Sequence, residues 1–279
     1  MKFSSEELNA ARQQLYSTVV DYFINRKGVE ALYVQGSVAE NSADEWSDID
    51  FRVVIKPEFY QQYLSERFSA PKQWGEWVYN EWAGRSWVCV SHFKPFNKID
   101  LLYFKPNELK PSPWFTLPTQ VIYDPKGLVK QIIIDSHNIE QSLLGIEEID
   151  RLISKGLAYA EEVYRRVMRG ELFYAQSLLD SFRLVLIQLD DYLHRDTFSS
   201  GIGSPSHFEQ RVSRMLIEAI ELSYATLDKP SILQALKILL NVYQAQVIRI
   251  YEELPLKRNR QKDLDWIDIL TELCFNKNI

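Results

Sequence analysis

The apolar residues of this chain change period once, near residue 140, and that change limits the fold more than any other feature. Before it, short apolar runs of strand length alternate with polar and turn-forming segments; after it, every long segment repeats with the spacing of a helix and none alternates as a strand does. In the first half, Leu8, Ala11, Leu15, Val19, Tyr22 and Phe23 predict an amphipathic helix over residues 5–27, capped by Ser4 or Ser5 and stopped at Gly28. Strands are expected at 31–34, Ile49–Ile55, 86–93, 98–104 and 120–123, with a helix opened by Pro57, a turn at 94–97 and another at 124–127. In the second half, helices are expected over 146–168, 171–195, 207–226, 230–254 and 263–275. Two domains follow, 1–140 with sheet and helices and 141–279 as an all-helical bundle.

Composition narrows the function classes. The 279 residues are 46% hydrophobic and 25% charged, enough to bury a core. The net charge of −6 disfavours phosphate backbones and favours cationic partners, so no nucleic acid is expected. One basic cluster, Lys257, Arg258, Arg260 and Lys262, reads as a solvated linker. Cys89 and Cys274 form no ligand pair, and Cys89 lies in an apolar run that reads as core. The polar N-terminus and the lack of a membrane-length apolar run predict a cytoplasmic protein.

The chemistry is concentrated between residues 34 and 51. Asp48 and Asp50, two apart on a strand, point to one face, and their mutual repulsion is relieved by a divalent cation; Mg²⁺ prefers such oxygen ligands together with substrate phosphates. Ahead of them, Gly36 allows close backbone approach, and Ser37 at the start of a helical turn offers N–H groups and a hydroxyl to phosphate. Asp100, an acid inside the apolar strand Ile99-Asp100-Leu101-Leu102, completes a three-carboxylate metal site if its strand lies beside that of Asp48. The alternative for Asp100 is pairing with Lys98 or Arg52. Ser47 is a further candidate nucleotide contact, with a turn terminator as its alternative.

Gly36-Ser37, ten residues, then Asp48-Ile49-Asp50 and a later acidic strand residue resemble the DNA polymerase β-type nucleotidyltransferases, particularly bacterial aminoglycoside and lincosamide adenylyltransferases. The resemblance implies an α+β fold, with a mixed sheet backed by helices followed by a C-terminal helical, substrate-binding-like domain. It also implies Mg²⁺ held by Asp48, Asp50 and Asp100, ATP or another NTP bound through Gly36 and Ser37, and a nucleoside monophosphate moved to a hydroxyl with release of pyrophosphate. The acceptor expected is a small hydroxylated, cationic molecule such as an aminoglycoside. A protein acceptor, or a non-catalytic nucleotide-binding role, is the alternative, and whether the chain pairs as a homodimer stays open. The family often carries Gly where this chain has Asn41-Ser42-Ala43-Asp44.

The base that deprotonates the acceptor is sought among Asp100, Glu171 and Asp180. Glu171 is expected in the first turn of a helix and Asp180 in a partly buried pair with Arg183. Trp74, Trp77 and Trp82, with Glu76 and Glu81, read either as an aromatic–acidic wall for a cation or, preferably, as core under the sheet. His92, His137, His194 and His207 show no ligand spacing.

Overall fold

The computed structural model describes residues 3–81, 84–139, 145–194 and 208–274. These fall into two compact units, Met1–Glu140 and Gln141–Ile279. The protein is thus α+β, a mixed sheet with helices followed by a helical region.

The first unit contains α1 (Ser5–Ile24), β1 (Val29–Gln35), α2 (Gly36–Glu40), β2 (Ile49–Ile55), α3 (Pro57–Glu66), β3 (Trp77–Glu81), β4 (Val88–Phe93), β5 (Asn97–Phe104), β6 (Thr119–Tyr123) and α4 (Leu128–His137). The strands form one sheet in the order β3-β4-β5-β2-β1-β6. Only β2 and β5 run parallel; the remaining pairs are antiparallel. Alternation divides the two central strands cleanly. Ile49, Phe51 and Val53 of β2 and Ile99, Leu101 and Tyr103 of β5 are buried in one core with Val19 and Phe23 of α1 and Tyr63 of α3. Across the sheet, Ala31, Tyr33 and Val54 pack with Leu109, Phe115 and Val129, which covers part of the opposite face. The remaining positions of β2 and β5 on that face are only half-buried, which is where polar residues gather.

Two elements were not expected from the sequence. The 124–127 turn does more than close β6: the Asp124 carboxylate accepts from the N–H groups of Leu128, Val129 and Lys130 at 2.8, 2.9 and 3.0 Å and so starts α4. The 74–82 segment is core only in part. Trp74 is buried against Tyr22 and Phe23, Trp77 begins β3, and Trp82 lies outside the described residues.

The second unit comprises α5 (Ile146–Met168), α6 (Leu172–Leu193), α7 (Phe208–Arg211), α8 (Arg214–Leu222), α9 (Lys229–Glu253) and α10 (Arg260–Leu273), with one core drawn from these helices. At Gly156 on α5 the backbone lies against the Tyr243 ring of α9, whose hydroxyl donates to the Ile153 carbonyl. The expected helix over 207–226 is two helices. Buried Asp190 accepts from both the N–H and the hydroxyl of Ser213 at 2.8 Å, and Ser213 then caps α8. Nor is the basic cluster simply a solvated linker: Arg258 binds Asp263 at 2.7 and 3.1 Å and also reaches Ser154 and the Asp150 carbonyl, tying the α9–α10 joint to α5. Among the described residues no helix is long and apolar enough to cross a membrane.

Candidate active site

The register of the sheet brings the sequence candidates together. Asp50 on β2 stands opposite Asp100 on β5, and Gln35, the last residue of β1, stands opposite Asp50. Asp48 immediately precedes β2, beside Lys98 in the same parallel register. Asp48, Asp50, Lys98 and Asp100 therefore share the half-buried face, at the end of the sheet where β1 turns into α2.

That turn has a specific geometry. Gly36 has φ +69°, in the left-handed region, and a Cβ placed on it would lie 3.0 Å from Asp50 Oδ2. A side chain here would crowd the carboxylate, in addition to straining a left-handed backbone. Ser37 follows as the second residue of α2, the start of a helical turn as its position implied. Asn41, at φ +61°, closes α2, and the Gly expected in this stretch is replaced by a residue type that tolerates that conformation. Ser47 donates to Asp44 Oδ1 at 2.7 Å and accepts from the Asp44 N–H at 3.0 Å, so its hydroxyl is engaged in the turn leading into β2.

Two cations of the chain serve the three carboxylates. Lys98 Nζ is 2.7 Å from Asp48 Oδ2 and 3.3 Å from Asp100 Oδ1. Arg52 is 3.1 Å from Asp50 Oδ1 and donates to the Asp100 and Phe51 carbonyls. Asp100 thus pairs with Lys98, while Arg52 meets only its backbone. Even so, Asp100 Oδ1 is buried and accepts no hydrogen bond. Burial raises the Asp100 carboxyl above the ordinary carboxylate range; Lys98 pulls it down, while Asp48 and Asp50 push it up further. Among the described residues no three acidic, His or Cys side chains converge as a finished metal-ligand set, Lys98 standing between Asp48 and Asp100. The donor chemistry nevertheless fits a hard cation: three carboxylates from adjacent strands, one with a buried oxygen that accepts no hydrogen bond and faces only the Lys98 ammonium.

Features that the sequence did not reveal extend this face in both directions. Toward one edge, Glu81 of β3 lies 2.6 Å from His92 Nε2 on β4, and the His92 ring stacks on Tyr79 at 4.3 Å. His92 is the direct cross-strand neighbour of Lys98. In the other direction lies a cavity of about 500 Å³ walled by Tyr33, Trp87, Phe104, Trp114 and Phe115, with Arg52, Arg85, Lys110 and Glu108 at its lining. The alternation of charged residues 98 and 100 was a signal for Lys98. The rings come from separated segments, and nothing local connects them.

Glu171 and Asp180 belong to the second unit. Glu171 is the N-cap residue of α6 rather than part of its first turn, and it pairs with Arg166 and Arg169. The hydrogen bond from Arg166 dominates and lowers its carboxyl. In the Asp180–Arg183 pair only Arg183 is buried: it bonds Asp180 at 2.6 Å and Ser223 Oγ at 2.8 Å, while Asp180 remains exposed. His194 accompanies Asp190 at 3.2 Å, His137 bonds the Ile133 carbonyl at 2.8 Å, and His207 lies outside the described residues.

No curated protein matches the chain. Among solved structures it is similar to an aminoglycoside 6-adenyltransferase from Bacillus subtilis at 14% identity, over 99% of this chain and 100% of that one, with a TM-score of 0.46. The family model for streptomycin adenylyltransferase matches residues 10–272. That span includes the Gly36 turn, the three carboxylates and both units, and with it the chain belongs to the streptomycin adenylyltransferase family of nucleotidyltransferases.

Proposed function

We propose that the enzyme moves the adenylyl group of ATP to a hydroxyl of an aminoglycoside, streptomycin first, in a Mg²⁺-dependent reaction that releases pyrophosphate. The observation that carries this reading is the placement of Asp50 opposite Asp100, with Gly36 against the Asp50 carboxylate, inside a chain matched by the streptomycin adenylyltransferase model. Use of ATP as donor goes with a cytoplasmic enzyme.

In the proposed reaction the acceptor oxygen forms a bond to the α-phosphorus, the bond to the bridging oxygen of the β-phosphate breaks, and pyrophosphate leaves with that electron pair. Asp48, Asp50 and Asp100 would hold Mg²⁺, which when bound supplies positive charge to the phosphates and polarises the phosphorus under attack. Gly36 and Ser37 let the α2 turn approach the terminal phosphates. Arg52, fixed by its bonds to Asp50 and two carbonyls, holds the Asp50 carboxylate in place. Asp100 is our choice for the base that takes the acceptor proton. Burial raises its carboxyl, whereas the hydrogen bond from Arg166 lowers that of Glu171, which two arginines hold. The ring-walled cavity, whose lining cations Arg52, Arg85 and Lys110 outnumber its one carboxylate, Glu108, offers ring faces to a planar nucleotide base. The acidic balance of the chain, −6 overall, suits a cationic acceptor.

The test is pyrophosphate release with ATP, Mg²⁺ and a panel of aminoglycosides. Streptomycin-dependent release should vanish with chelator and fall at least about 100-fold in Asp50→Asn, the scale of losing a preorganised electrostatic contact in a transition state. Full turnover by Asp50→Asn, or no release with any aminoglycoside, would refute the proposal.

A further inference from the structure

Of the two cations on the carboxylate face, one is anchored and one is not. Arg52 makes three bonds within its own sheet, to Asp50 and to the Phe51 and Asp100 carbonyls, and its side chain is 13% exposed. Lys98 contacts only carboxylates, Asp48 and Asp100, from a flexible stem whose side chain is 33% exposed. Its ammonium sits between two of the groups that a divalent ion would need, and the three acids exceed the two cations by a single charge.

We propose that Lys98 is a resident counter-cation, holding Asp48 and Asp100 until nucleotide arrives and then exchanging these carboxylates for phosphate oxygens, so that metal and nucleotide enter as a unit. This rests on the reading of Asp48, Asp50 and Asp100 as the metal site. The physical reasoning is electrostatic. A divalent ion entering alone must evict an ammonium from a 2.7 Å ion pair with Asp48 and leave it without an anion. Arriving with a triphosphate, the ion brings the replacement anion, and Lys98 gives up one partner for another. Metal and nucleotide are thereby coupled, each raising the affinity of the other by the same factor. Lys is suited to this exchange because its compact charge and rotatable stem change partners without a fixed fork geometry.

The experiment measures free Mn²⁺ by electron paramagnetic resonance during titration of the full chain, with and without the non-reacting analogue α,β-methylene-ATP. A unit charge and a divalent ion about 4 Å apart repel, even in a water-like dielectric, by enough to change a binding constant on the order of 30-fold. Lys98→Met and Lys98→Gln should therefore bind Mn²⁺ alone on the order of 30-fold more tightly than the natural chain. The enhancement of Mn²⁺ binding by nucleotide should shrink by the same factor, while Lys98→Arg should keep weak binding of bare metal. Circular dichroism and thermal melting establish that each variant is folded. Unchanged or weaker Mn²⁺ binding by a folded Lys98→Met or Lys98→Gln overturns the counter-cation role and leaves the metal site standing. Failure of the natural chain to bind Mn²⁺ even with the analogue, or full binding by Asp48→Asn/Asp50→Asn, overturns the metal-site reading and this inference with it.

Discussion

Replacing Gly36 with Ala separates a backbone effect from a site effect, because Gly127 supplies a matched control. Both glycines have φ +69°. A Cβ costs roughly 1–2 kcal/mol at either position for the left-handed backbone alone. The surroundings differ: the Cβ at Gly36 meets Asp50 Oδ2 at 3.0 Å, and the Cβ at Gly127 meets nothing within 4 Å. Asp50 is held on its other side by Arg52 at 3.1 Å, so the carboxylate or the α2 turn must shift by a few tenths of an ångström. A displacement of about 1 Å in a catalytic constellation costs on the order of 100-fold, so a shift of roughly half that predicts about a 10-fold loss of kcat/KM. Six of the seven tryptophans precede residue 140, so urea unfolding followed by tryptophan fluorescence reports chiefly on the first unit. Both variants should lose roughly 1–2 kcal/mol there. Only Gly36→Ala should lose streptomycin-dependent pyrophosphate release. Equal activity in the two variants would refute the argument that Gly36 is required by the carboxylate rather than by the turn.

Other outcomes follow from the helical unit. Gly156→Ala places a Cβ 2.5 Å from the buried Tyr243 ring, and the overpacking should cost about 1–3 kcal/mol, read as a lowered thermal midpoint; an unchanged midpoint would show that α5 and α9 separate freely. Burial works to raise the Asp263 carboxyl, but the bonds from Arg258 and Tyr251 outweigh it and the net shift is downward. A carboxyl lowered in the folded state adds stability that is complete above its unfolded value of 3.8 and is lost as pH falls below it. Arg258→Met should therefore flatten the acid limb of the stability curve, and a limb that stays as steep would assign the acid sensitivity to other groups.

Where local chemistry suffices, the sequence was a reliable guide. The period-two spacing of Asp48 and Asp50 required a shared face wherever the strand lay, and Pro57 and Ser4 marked helix starts that the structure retains. The change of texture near residue 140 separated sheet from helices because alternation and 3.6-residue spacing are properties of short windows. The start of α4 escaped because Asp124 acts across several residues on N–H groups in the next element, so a turn motif concealed a cap. The break before α8 escaped because its cause, Asp190, lies more than twenty residues away.

The site divides along the same line. Gly36, Ser37, Asp48 and Asp50 were legible in one continuous segment, and Asp100 only on the condition that its strand was adjacent. That condition was decided by the parallel pairing of β2 with β5, which sets Asp50 opposite Asp100 and Lys98 beside Asp48. Strand order is a property of the whole sheet: it depends on which faces bury together, and no local window contains it. For the same reason the Glu81–His92 pair and the ring-walled cavity exist only in three dimensions. The sequence determined which chemical groups the enzyme possesses, because side-chain type and strand period are local. Tertiary structure alone decided which cation faces which carboxylate, because that depends on distances between segments far apart in the chain.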